Sequence, residues 1–116
     1  MKTGNRIVDL SFSFSLSIIE LYKSLIEKRE FVISKQLLRS ATSIGANVEE
    51  AIAAQSRKEF ISKMSIASKE ARETRYWLRL LDKSRLADLD FSSQLNEAEQ
   101  IISILTKIVK TSQESS

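Results

Sequence analysis

Histidine, cysteine and proline are all absent from this 116-residue chain, and glycine occurs only at Gly4 and Gly45. Each absence excludes something. Without Cys there is no disulfide and no thiol nucleophile. Without His or Cys, the usual zinc sites, the Ser-His and Cys-His nucleophiles and the Glu-x-x-His di-iron site of helical bundles are excluded. No Gly-rich phosphate loop is present. Turn-rich β folds need Pro and Gly at their turns, so their scarcity favours long helices. No apolar run reaches the roughly 18 residues of a spanning helix. The opening MKTGNRIVDL has neither the apolar core nor the cleavage site of a secretory signal. These readings predict a cytoplasmic protein with no membrane association, no metal, no cofactor and no enzymatic activity.

What remains is ordinary for a globular protein: 42% hydrophobic and 28% charged residues. The length suits one domain, residues 1–116, with a core small enough that self-association would help it. Net charge is +3, from 18 basic and 15 acidic side chains. Its distribution is uneven: residues 56–85 hold nine basic and four acidic residues, whereas 86–116 hold two and five.

Hydrophobic spacing divides the chain into four helical segments, at about 5–29, 31–55, 57–83 and 91–111. Ser56-Arg57-Lys58-Glu59 is a capping box for the third. Asp88 or Asp90 can cap the fourth, and the tail TSQESS is expected to fray. In the fourth, Phe91, Leu95, Ala98, Ile101, Ile102, Leu105, Ile108 and Val109 form one apolar stripe. In the second, Leu37, Ala41, Ile44, Val48, Ala51 and Ile52 share a face. Beside it lie the mostly small Ser40, Ser43, Ala46, Asn47 and Ala54, which suit close helix packing. Close packing is also the expected reason for Gly45, which costs a helix about 1 kcal/mol relative to Ala. Short links between four helices predict an all-α, up-down-up-down antiparallel four-helix bundle.

The first segment holds LSFSFSLSI, Leu10 to Ile18, whose strict alternation is a strand pattern. No partner strand exists, however, and the run continues into a helical period without a turn. Wound as a helix, it has two apolar sides. Ile7, Leu10, Phe14, Ile18, Leu21 and Leu25 serve the core. Phe12, Leu16 and Ile19 need other cover, for which a neighbouring subunit is expected.

The third segment has three faces at about 100° per residue. Phe60, Met64, Ala67, Ala71, Leu78 and Leu81 form the core stripe. Arg57, Lys58, Lys69, Arg72, Arg75, Arg79 and Lys83 form a basic stripe beside Tyr76. Arginine forks suit phosphate and Tyr76 can stack on a base, so Arg57, Lys69, Arg72, Arg75, Arg79 and Lys83 are the candidate nucleic-acid contacts. The competing reading is a solvated face, or salt bridges to neighbouring helices or subunits. Ile66, Glu70, Glu73 and Trp77 lie off both. Ile66 and Trp77 join Phe12, Leu16 and Ile19 as candidate interface residues, although Trp77 can also sit at the core boundary.

Carboxylates are the remaining catalytic option. Glu49 and Glu50, with Glu70 and Glu73, resemble the acidic motifs by which all-α nucleoside-triphosphate pyrophosphatases hold Mg²⁺. The pattern departs at Ala53, where a further acid is wanted. Pairing of Glu50, Glu70 and Glu73 with Lys or Arg on adjoining helices is the alternative.

Three blocks, SFSFSLSIIELYK (Ser11 to Lys23), LLRSATSIGANVEEAIAAQSRKEFISK (Leu37 to Lys63) and ASKEARETRYWLRLL (Ala67 to Leu81), resemble the bacterial 23S rRNA intervening-sequence proteins over nearly the whole chain. Asn47, Glu50, Glu70, Glu73 and Trp77 match that family's motif. The resemblance implies a four-helix bundle assembled as a ring-like pentamer, encoded in some cases within ribosomal RNA genes. The family is similar to the accessory variability determinant of diversity-generating retroelements, a basic pentameric bundle that binds nucleic acid and a reverse transcriptase. The run Arg75-Tyr76-Trp77-Leu78-Arg79 looks like the corresponding helix. The expectation is therefore a homo-oligomer that binds RNA or a nucleic-acid-associated protein, with a protein-partner scaffold as the alternative.

Overall fold

Each helix begins where a side chain can take up its free amides. Asn5 Oδ1 accepts from the Val8 N–H (3.3 Å) and opens α1, Arg6–Glu27. Glu30 opens α2, Ile33–Ile52: its carboxylate accepts from the N–H groups of Val32, Ile33 and Ser34, and the Ser34 hydroxyl donates to the Glu30 carbonyl at 2.7 Å. Ser56 Oγ accepts from the Glu59 N–H (3.0 Å) and opens α3, Arg57–Ser84. The capping box is half realised, because the Glu59 carboxylate takes the Gln55 N–H (2.7 Å) rather than that of Ser56. Asp90 opens α4, Ser92–Glu114, by accepting from the N–H and hydroxyl of Ser92. The backbone bond, followed by the hydroxyl, holds the Asp90 carboxyl below its ordinary range.

These are the helices of a computed structural model that describes residues 3–115. Met1 and Lys2, where the stretch read for a signal begins, and Ser116, the end of the tail expected to fray, lie outside the described residues. Several boundaries depart from the sequence reading: α1 stops at Glu27 rather than about 29 and α2 at Ile52 rather than about 55. Phe31 and Val32 lie in the link before α2, 57% and 74% exposed, because the Glu30 carboxylate captures the amides of Val32, Ile33 and Ser34 and sets the helix start after them. α4 continues past Thr111 to Glu114. None of the helices is long and apolar enough to cross a membrane.

Cross-helix partners reveal the packing. Between α2 and α3, Arg39 meets Glu73, Ser43 meets Glu70 and Glu50 meets Lys63. Between α3 and α4, Arg75 meets Glu99, Arg72 meets Thr106 and Arg57 meets Ser112. Between α1 and α2, Ser15 meets Ala41 and Ser11 lies against Gly45. Rising numbers meet falling ones throughout, so successive helices are antiparallel. α4 also packs against α1, which closes the four into a bundle. The molecule is 46 Å long, close to the roughly 42 Å of α3 at about 1.5 Å per residue.

The core takes Phe14, Ile18 and Leu25 from α1, Leu37, Ile44 and Val48 from α2, Met64, Leu78 and Leu81 from α3, and Phe91, Ile101 and Leu105 at α4, all essentially inaccessible. Ala41, Ala51, Ala67 and Ala71 are equally buried, and their small side chains let α2 and α3 approach closely. Ile52, expected on the core face, is half exposed at the end of α2. The reason expected for Gly45 needs correction. A Cβ there would stand 3.5 Å from Ser15 Oγ and 3.6 Å from the Ser11 carbonyl, which is ordinary contact. α1 is near, but a methyl group fits.

Candidate nucleic-acid interface

The residues that match the family motif meet along the outer seam of α2 and α3. Arg39 of α2 reaches Glu70 at 3.4 Å and also pairs with Glu73. Trp77 Nε1–H donates to Glu73 Oε2 at 2.9 Å, and the Ser43 hydroxyl donates to Glu70 Oε2 at 3.3 Å. Asn47 Nδ2 donates to the Ser43 carbonyl and hydroxyl, one turn away. Glu50 pairs with Lys63 at 2.8 Å. The Trp77 bond, followed by the Arg39 interactions, outweighs partial burial and lowers the Glu73 carboxyl below its ordinary range. The same contact with Glu73 leads the causes that raise the Arg39 guanidinium. Beneath this layer, Thr74 Oγ1 lies 2.8 Å from Ser40 Oγ, both fully buried. The carboxylates thus pair with cations of adjoining helices, and no group of three or more potential metal ligands forms among the described residues.

The basic stripe of α3 splits in two. Arg57 Nη1 donates to the Ser112 carbonyl (3.3 Å) and Ser115 Oγ (2.7 Å), binding the end of α4. Arg72 Nη2 donates to Thr106 Oγ1 at 3.1 Å, and Arg75 pairs with Glu99 at 2.9 Å. These three therefore have one hand on α4. Lys69, Arg79 and Lys83 are exposed and have no ion-pair or hydrogen-bond partner among the described residues. Tyr76 lies among them on the outer face, 54% exposed, with its ring edge-on to Trp77 at 5.1 Å between centroids.

The candidate interface residues also divide. Phe12 and Leu16 are 44% and 52% exposed, and Ile19 is half-buried. Their i, i+4, i+7 row runs just outside the α1–α2 seam, since Ser11 and Ser15 occupy the seam itself. Ile66 is 38% exposed. Trp77 is half-buried and packed against the core, the boundary position that its place off the core stripe left open. Its indole N–H is spent on Glu73.

Two cations escaped the sequence reading. Arg39 lies outside the basic segment, and only its spacing from Glu70 and Glu73 across an antiparallel seam identifies it. Lys110 lies in a segment that counts as acidic overall. On α4, however, Glu97 and Glu99 lie in the first half and Lys107 and Lys110 in the second, ahead of the terminal Glu114. Charge summed over a segment hides that separation.

Fold and surface together define a four-helix bundle whose third helix carries a partly committed basic face. The chain belongs to the 23S rRNA-intervening sequence protein family, whose model matches residues 4–107. A solved structure from Bacteroides thetaiotaomicron, described as a protein of unknown function from the S23 ribosomal protein family, is similar at 48% identity with a TM-score of 0.85. The match covers 90% of this chain and 98% of that one. No curated protein matches the chain.

Proposed function

We propose that this chain is a non-enzymatic, homo-oligomeric bundle, a ring of five by its family resemblance, that binds RNA or a ribonucleoprotein through the outer face of α3. The supporting observation is that Lys69, Arg79 and Lys83 stay unpaired around an exposed Tyr76, in a bundle where many neighbouring charges are neutralised within the chain. Unpaired cations release counterions when they meet phosphate, and an aromatic ring can stack on an unpaired base. A ring would repeat this modest surface and convert weak contacts into avidity. The exposed row of Phe12 and Leu16 supplies an apolar surface for the neighbouring subunit.

The test is a titration with fluorescent single-stranded RNA at two salt concentrations. Binding should weaken as salt rises. The triple variant Lys69→Gln, Arg79→Gln, Lys83→Gln should reduce the slope of log K against log salt by about 2 per engaged subunit, at about 0.7 per lost phosphate contact. No binding at low salt, or an affinity untouched by the triple variant, would refute the reading. A scaffold for a protein partner is the second reading. It would place the arginines in intersubunit salt bridges, whereas Arg57, Arg72 and Arg75 each already make a contact to α4 within the chain and have only their remaining N–H donors for a partner. The pyrophosphatase reading gains nothing, since Arg39 already holds Glu70 and Glu73.

A further inference from the structure

We infer that a notch between α3 and α4, outside the row of free cations, holds a phosphate group. It is an open groove of about 260 Å³, lined by Ser65, Ser68 and Arg72 of α3 with Thr106, Val109, Lys110 and Gln113 of α4. No carboxylate lines it. Arg72 Nη2–H donates to Thr106 Oγ1 at 3.1 Å, which fixes the guanidinium across the notch and leaves its other N–H donors available. Ser65, Ser68 and Lys110 have no hydrogen-bond or ion-pair partner among the described residues. Ser65 and Ser68 are half-buried, so their hydroxyls are positioned on the helix surface rather than on a mobile loop.

The chemistry of this lining selects its ligand. Two cations and three hydroxyls offer more donors than the two oxygens of a carboxylate can accept. A tetrahedral oxyanion with several accepting oxygens suits them better, and a fork plus an ammonium matches phosphate. Ser65, Ser68 and Arg72 follow one another at intervals of three and four, a single row on α3 that faces Thr106 and Lys110 across the seam. The phosphate comes either from a nucleic-acid backbone, which rests on the function proposed above, or from a free phosphate.

The experiment records amide NMR spectra of the full chain in two arms. One adds inorganic phosphate against chloride at equal ionic strength, and the other adds single-stranded oligouridylate. Saturable shifts at Ser65, Ser68 and Thr106 are expected in both, weakened about tenfold or more in Ser68→Ala, Lys110→Gln. Lys110→Gln alone, at an exposed position, serves if Ser68→Ala disturbs the seam. Shifts with inorganic phosphate but no RNA binding support the notch as a free-phosphate site and count against the nucleic-acid reading alone. RNA binding of unchanged affinity in both variants, together with no phosphate shifts, overturns the notch and leaves that reading intact. No localised shift in either arm overturns the inference.

Discussion

At the scale of single residues, the serines of LSFSFSLSI show how little the alternation concerned a strand. Ser11 is buried and donates to the Val8 carbonyl, Ser15 donates to the Ala41 carbonyl across the α1–α2 seam, and Ser17 donates to Glu97 of α4 at 3.4 Å. The helical period was legible, but the partner of each hydroxyl was not, because it depends on the register of another helix. Glu97 carries a consequence. Burial raises its carboxyl above the ordinary range, and the Ser17 bond only partly offsets this. The folded state therefore binds this proton more tightly than the unfolded chain does. That contribution is fully present below the unfolded carboxyl range near about 4.3 and is lost as pH rises through the folded value. Glu97→Gln should raise the thermal midpoint at pH 7, with the difference from wild type shrinking towards about pH 3.5. Paired melts at the two pH values decide, and an equal difference at both would refute it. Gly45 is a simpler case. Since a methyl group meets only ordinary contacts, Gly45→Ala should stabilise the chain by about 1 kcal/mol in urea unfolding. A loss instead would mean that α1 lies closer than its 3.5 Å approach indicates.

At the scale of helices, the segments and core stripes followed from spacing, while the contents of the seams did not. Thr74 lies within the apolar period of α3 yet is a polar residue buried with Ser40, and nothing local announces that pair. The Arg39 cluster was equally hidden, because its members are separated by 31 and 34 residues. The two layers of the α2–α3 seam should differ in energetic weight. Arg39 is 51% exposed, so its ion pairs are screened by water and Arg39→Ala should cost no more than about 1 kcal/mol. Thr74→Val removes a hydrogen-bonding group from a dry site and leaves Ser40 with one partner fewer, which should cost about 1–3 kcal/mol. Chemical denaturation of the two variants ranks the layers. If Arg39→Ala proved the more damaging, the outer cluster rather than the buried hydroxyl pair would hold α2 to α3.

At the scale of the whole molecule, the apolar row on α1 and the basic face of α3 belong to helices that do not touch each other among the described residues, so only assembly can couple them. Within the chain Phe12 and Leu16 are only about half covered and stand outside the core, at positions where a solvent-facing helix would carry charge. Burying the remainder of each against another copy would contribute on the order of 1 kcal/mol per side chain, and a ring would repeat the gain at every interface. Sedimentation velocity should find the wild type as an oligomer and Phe12→Ser, Leu16→Ser as smaller species. Helicity should be retained, because neither side chain supports the core of its own bundle. A wild type that sediments as a monomer, or a variant that keeps the wild-type size, would refute the subunit contact. The same variant bears on RNA binding, since a single bundle presents the α3 face once, with Lys69, Arg79, Lys83 and the engaged arginines beside them. If avidity carries the affinity, separating the subunits should weaken RNA binding by much more than the added serines could through charge, because they change none. An affinity that survives dissociation would place recognition within one bundle and leave the ring a purely structural role.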